Sequence, residues 1–124
     1  LERRFDYWVA ELEKFTDGSP SPKIKILKSF DFLMHMNEKE NFRGCSFLNI
    51  LFEVPEDKTE IHYTIREHKR RLRICFDNEI NDELLSAHIY LLFESCIITS
   101  KIYRSNELIE KSKSILYDSL KHLN

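Results

Sequence analysis

The sequence predicts an all-α protein of six helices, and three observations carry that reading. Apolar residues recur at spacings of three and four along most of the chain, the period of a helix with one buried face. Gly occurs twice and Pro three times in 124 residues, too few for the many tight turns of an all-β fold. Residues that cap or break helices fall where the apolar stripes stop. The length suits one unit spanning residues 1–124 with a core of its own.

Leu1, Phe5, Trp8, Leu12 and Phe15 form the stripe of the first helix, widened by Val9. Asp17–Gly18 ends it, and Ser19-Pro20-Ser21-Pro22 makes a loop. Ser21 is placed as N-cap of the second helix, with Pro22 at its first position, where a missing N–H costs nothing. That helix is expected to reach Glu40. Ile26, Leu27, Phe30, Leu33, Met34 and Asn37 lie on one side, Phe32 and Met36 on another. Two apolar faces require two contacts, for example a core and a cavity. Gly44 suits a backbone conformation that other residues resist. A short, almost wholly apolar third helix is expected over residues 46–54, ended by Pro55.

Asp57-x-x-Glu60 resembles a capping box opening the fourth helix. Its inward stripe is Ile61, Ile65, His68, Leu72, Cys75 and Phe76. Arg66, Lys69, Arg70 and Arg73 share a neighbouring flank, which reads as a solvated face. Asn81 is placed as cap of a fifth helix over residues 82–104. Its polar positions, Ser86, Tyr90, Glu94, Lys101 and Arg104, fall in one narrow strip. The remaining circumference is apolar or small, far wider than one buried stripe, so this helix needs burial on two sides. Ser105 is placed as cap of the sixth helix. Leu108, Ile109, Ser112, Ile115, Leu116, Ser119, Leu120 and Leu123 form its stripe, with small serines that permit close approach of another helix.

The formal net charge is −2 with a pI near 6.2, without the basic excess of a free-standing nucleic-acid binder. Cys45, Cys75 and Cys96 cannot complete a disulfide framework and lack CxxC spacing. They read as reduced thiols in a cytoplasmic protein. Residues 1–15 are too charged for a signal peptide. Residues 84–98 are broken by His88 and Glu94 and fall short of a membrane span. The chain opens without Met on residues already helical, which points to a longer polypeptide.

Chemistry is sparse. No HExxH or Glu-x-x-His places metal ligands on one helix face, so no metal is expected. No strained Gly-x-Ser/Cys-x-Gly elbow and no phosphate-cradling glycine loop occurs, so neither an enzyme nor a cofactor is expected. His68 and His88 each interrupt an apolar stripe. Each is either a core histidine satisfied by hydrogen bonds or a polar group lining a cavity. Asn49, inside the apolar third helix, has the same two readings.

The segment Phe42-Arg43-Gly44-Cys45-Ser46-Phe47-Leu48-Asn49 resembles a stretch of the regulatory domain of TetR-family transcriptional regulators. Glu53–Pro55, then Arg66-Glu67-His68-Lys69 with Leu72, and Phe93-Glu94-Ser95-Cys96 continue it, with Ser95 where Gly is commoner. The resemblance covers about residues 22–123. It implies a bacterial or archaeal cytoplasmic repressor, binding operator DNA as a homodimer through a helix-turn-helix upstream of Leu1. It also implies an effector pocket enclosed by the first five helices, and a dimeric four-helix bundle made by the last two.

The inward stripes place Trp8, Phe30, Met34, Cys45, Leu48, Asn49, Phe52, His68, His88 and Leu92 around such a pocket. It would lie between the first, second, fourth and fifth helices, roofed by the third. A mostly apolar wall with two histidines suits a small, mainly hydrophobic effector. Ser95, Ile98, Ile102, Ser112, Ile115, Leu116 and Ser119 are placed in the dimer interface. The alternative is an all-helical protein–protein interaction module with a solid core and no ligand.

Overall fold

The computed structural model describes residues 2–43 and 54–121. Among the described residues the chain is all-helical, with five helices and no strand. They are α1 (Glu2–Thr16), α2 (Pro22–Lys39), α3 (Thr59–Glu79), α4 (Glu83–Tyr103) and α5 (Glu107–Ser119). Residues 46–53 of the expected third helix, with Leu48, Asn49 and Phe52, lie outside the described residues, as do Gly44 and Cys45 before it. Val54, the last residue assigned to it, is not helical.

The ends of the helices follow local chemistry. Gly18 has φ +74° in the turn after α1, a conformation that costs glycine nothing. Ser21 caps α2 as expected, its hydroxyl accepting from the Ile24 N–H at 3.3 Å. The capping box expected at Asp57 does not form. Lys58 is the N-cap and makes no side-chain cap bond. Its N–H instead donates to the Pro55 carbonyl at 3.0 Å, which turns the chain so that α3 starts at Thr59. One residue separates the expected and observed caps of α4. Asp82 rather than Asn81 accepts from the Leu85 N–H, at 3.1 Å. Asn106 precedes α5, while Ser105 still accepts from the Glu107 N–H at 3.1 Å.

α2 touches every other helix, and α4 touches α2, α3 and α5. This explains the two apolar faces of α2. On its second face Met36 borders a small cavity, and Phe32 is taken up by packing. Phe32 packs edge-on against Trp8 of α1 at 5.1 Å and against Phe15 at 5.7 Å. The core is aromatic at its centre. Phe93 of α4 is fully buried and meets Phe30 at 5.4 Å, Phe76 at 5.1 Å and Trp8 at 6.2 Å, all edge to face. That geometry sets the positive edge of one ring on the negative face of the next.

Most of the polar strip of α4 is covered by neighbouring helices, the reverse of an ordinary surface helix: Tyr90, Glu94 and Lys101 are half-buried, and Arg104 at the C-cap is exposed. Ser86 is buried and donates to the Asp77 carboxylate of α3. Glu94 accepts from Lys69 of α3 at 3.0 Å. The apolar remainder is then shared between the core, through Ile89, Phe93 and Ile97, and an exposed face.

Candidate functional site

Two features of this fold are candidates for function: a small polar-walled cavity inside, and an apolar face outside. The cavity lies where α1, α2, α3 and α4 meet. Trp8, Leu33, Met36, Asn37, His68, Lys69, Ile97 and Lys101 enclose about 20 Å³. That is space for one water molecule. It sits between the helices from which a pocket was expected, but it is far too small for an effector as it stands.

Its polar wall is built by long-range contacts. The Asn37 carboxamide donates to Ser100 Oγ at 2.9 Å and to Asn106 Oδ1 at 3.0 Å. These bonds join α2 to α4 and to the residue before α5. The guanidinium of Arg104 donates to the Asn41 carbonyl at 3.1 Å, closing a second tie between the same regions. Asn41, Phe42 and Arg104 all have φ between +51° and +56°. Left-handed backbone is costly for a residue as bulky as Phe42.

His68 is 2% exposed. Its ring stacks on Phe5 at 4.1 Å and meets the edge of Trp8 at 5.8 Å. Burial, reinforced by the neighbouring Lys69 and Arg71 against a smaller opposing effect of Asp6, pushes its pKa down to about 3. The imidazole is therefore neutral at physiological pH. His68 also borders a broad open cleft of about 1070 Å³, lined with Phe5, Glu56, Thr59, Glu60, His62, Tyr63, Thr64, Arg66, Glu67 and Arg71. It is the one side chain common to cavity and cleft among the described residues.

The residues placed at a pocket separate accordingly. Trp8 and His68 line the cavity. Phe30 is fully buried against Phe93, a core position rather than a wall. Met34 and Leu92 are half-buried and pack on the core. His88 is exposed; the inward side of α4 is taken by Ile89 and Phe93, which leaves His88 on the opposite side. Cys45, Leu48, Asn49 and Phe52 lie outside the described residues. The cavity also takes Leu33, Met36, Asn37, Lys69, Ile97 and Lys101, which the sequence reading does not assign to a pocket. Asn37 stands on the inward side of its helix, and an amide there was the available signal.

The outer face is the second feature. On α4, Leu84 is 83% exposed, Leu91 64%, Ile98 37% and Ile102 69%; on α5, Leu108 is 37% and Ile115 62%. Ser95 and Ser119 are exposed beside them. Two residues placed in a dimer interface are elsewhere. Leu116 is 1% exposed inside the protomer. Ser112 is buried, accepting from the Cys96 thiol at 3.4 Å and donating to the Leu108 carbonyl at 2.7 Å. The single stripe expected on α5 is two: Ile109, Ser112, Leu116 and Leu120 inside, Leu108 and Ile115 outside.

No helix among the described residues is long and apolar enough to cross a membrane. Groups of three metal-ligating side chains are absent among the described residues. Burial pushes the thiols of Cys75 and Cys96 up, which disfavours the nucleophilic thiolate. The chain matches no protein-family model, no curated protein and no solved structure.

Proposed function

We propose that this chain is the effector-binding and dimerisation domain of a TetR-like transcriptional regulator, a cytoplasmic repressor. Its homodimer pairs through α4 and α5. A small, mainly hydrophobic effector binds among α1–α4 and relieves operator binding by an upstream helix-turn-helix. The observation that carries this reading is the apolar face of α4 and α5, left open while the rest of the interior closes. Exposed apolar surface of this extent marks an association site. The resemblance of residues 42–49 and 66–69 to the family's regulatory domain supports the same assignment.

The effector site follows from the cavity. Trp8, Leu33, Met36 and Ile97 offer apolar contact, and Asn37, His68, Lys69 and Lys101 offer polar contact. At about 20 Å³ this is the closed state. An effector gains access by favouring an opened arrangement, and its leverage is its differential affinity for the two states.

The near-solid interior favours a second reading, an interaction module that takes no ligand. One experiment separates them. The full polypeptide, including residues upstream of Leu1, is used to select fragments from bacterial genomic DNA, and hydrophobic small molecules are then screened for release. A regulator retains a two-fold symmetric fragment and releases it with an effector that also raises Tm. Failure to retain any DNA, with no thermal shift across the library, overturns the regulator and leaves the interaction module.

A further inference from the structure

The exposed residues of α4 follow a strict heptad seam. Leu84, His88, Leu91, Ser95, Ile98 and Ile102 are spaced four, three, four, three and four apart. All six are exposed, and at 100° per residue they lie within about 40° of one line. The seam runs about 27 Å along the helix at 1.5 Å per residue. It contains no charge when His88 is neutral.

The seam is symmetric about its own middle, between Leu91 and Ser95. A second copy laid antiparallel on it sets Leu84 against Ile102 of the partner subunit. His88 then meets Ile98 of the partner subunit, and Leu91 meets Ser95 of the partner subunit. At the centre Leu91 faces the small Ser95 on either side of the axis, while His88–Ile98 and Leu84–Ile102 pair larger side chains further out, so the same patch meets itself as a two-fold contact requires. We propose that the dimer is formed by α4 lying antiparallel on its copy about this point, which seals His88 in an apolar seam and makes assembly sensitive to protonation. This rests on the dimeric regulator reading above and adds its register and its regulation.

The charges around His88 do not offset an imidazolium there. On α4, Glu94 is turned to Lys69, Lys101 borders the inner cavity, and Glu83 is at the helix start. On α3, Asp77 is bonded to Ser86, on the inward side of α4, and Arg73 is beside Tyr90. α5 packs on α4 through the Cys96–Ser112 contact, and its end and the turn after it carry Asp118 and Lys121, one charge of each sign. Across the seam its neighbours are Ser95 and Ile98 of the partner subunit. Protonating a histidine in such a place requires burying an uncompensated charge.

Sedimentation equilibrium at about pH 8 and about pH 5.5, on the chain and on His88→Leu, tests this. The chain is expected to be dimeric at the higher pH, with Kd at least ~10-fold larger at the lower. His88→Leu is expected to stay dimeric at both, with less than about a threefold change. Circular dichroism confirms that both remain folded. A dimer whose Kd rises equally in His88→Leu leaves dimerisation standing and overturns the seam assignment of His88. A monomer at about pH 8 overturns the dimeric reading and this inference with it.

Discussion

The Asn37 carboxamide reaches Ser100 Oγ at 2.9 Å, across 63 residues of chain. It ties the central helix to the helix that carries the exposed face. With its second N–H on Asn106 Oδ1 at 3.0 Å, this one side chain joins α2, α4 and the start of α5.

Asn37→Ala removes both donors at a site that is 3% exposed and strands their acceptors. The expected cost is about 2 kcal/mol of folding stability, read from the midpoint of urea unfolding. A cost below about 0.5 kcal/mol would mean that water replaces the amide without penalty.

His68 makes stability fall with acid. Its native pKa of about 3 lies below the ordinary value of 6.5, so the unfolded chain takes up the proton first as pH drops. Between those values stability falls by at most ~1.4 kcal/mol per pH unit. Above pH 6.5 this contribution to the pH dependence vanishes. His68→Phe, which keeps the stack on Phe5, is expected to lose that slope. Urea midpoints measured from neutral pH down to pH 4 compare the two, and identical slopes would contradict the assignment.

Phe93→Ala empties the centre of the aromatic cluster around Phe30, Phe76 and Trp8. A loss of about 3–5 kcal/mol is expected, measurable as a drop in Tm. A loss below about 1 kcal/mol would show that the cluster collapses into the gap.

Helix positions were legible in the sequence because caps and apolar period act locally. Ser21 with Pro22 marked the start of α2, and Gly18 its predecessor's end. Burial at α4 was harder to read. Ser86, Glu94 and Lys101 form a polar strip that ordinary amphipathic logic turns outward. Asp77 and Lys69 of α3 and the cavity meet them instead, partners that the period of α4 alone does not show. His88 was misplaced for the same reason: a histidine among apolar residues reads the same on a core stripe and on a pairing face. The heptad spacing of Leu84, Leu91 and Ile98 was the signal that separates them. Asn37 and Ser100 are joined only by the tertiary fold, so no local pattern announces the pair.

On its own the chain is not expected to bind operator DNA tightly at physiological salt. Arg66 and Arg73 are exposed on α3, but Arg70 is paired with Glu67 at 3.1 Å and Lys69 with Glu94 at 3.0 Å. Few phosphate contacts remain, and they fade with salt. A fluorescence anisotropy titration in which the 124-residue chain binds one DNA sequence selectively would contradict this.

The account stands on the claim that a second copy covers the apolar face of α4. Sedimentation equilibrium at micromolar concentration and neutral pH, on the chain and on Leu91→Lys, tests it most directly. The chain is expected at twice its 15.0 kDa mass. Leu91 is 64% exposed, so Leu91→Lys is expected at the single mass with unchanged helical content, since a lysine there stays hydrated only in the monomer. A monomeric parent chain, or a Leu91→Lys variant that dimerises as tightly as the parent, would contradict the claim.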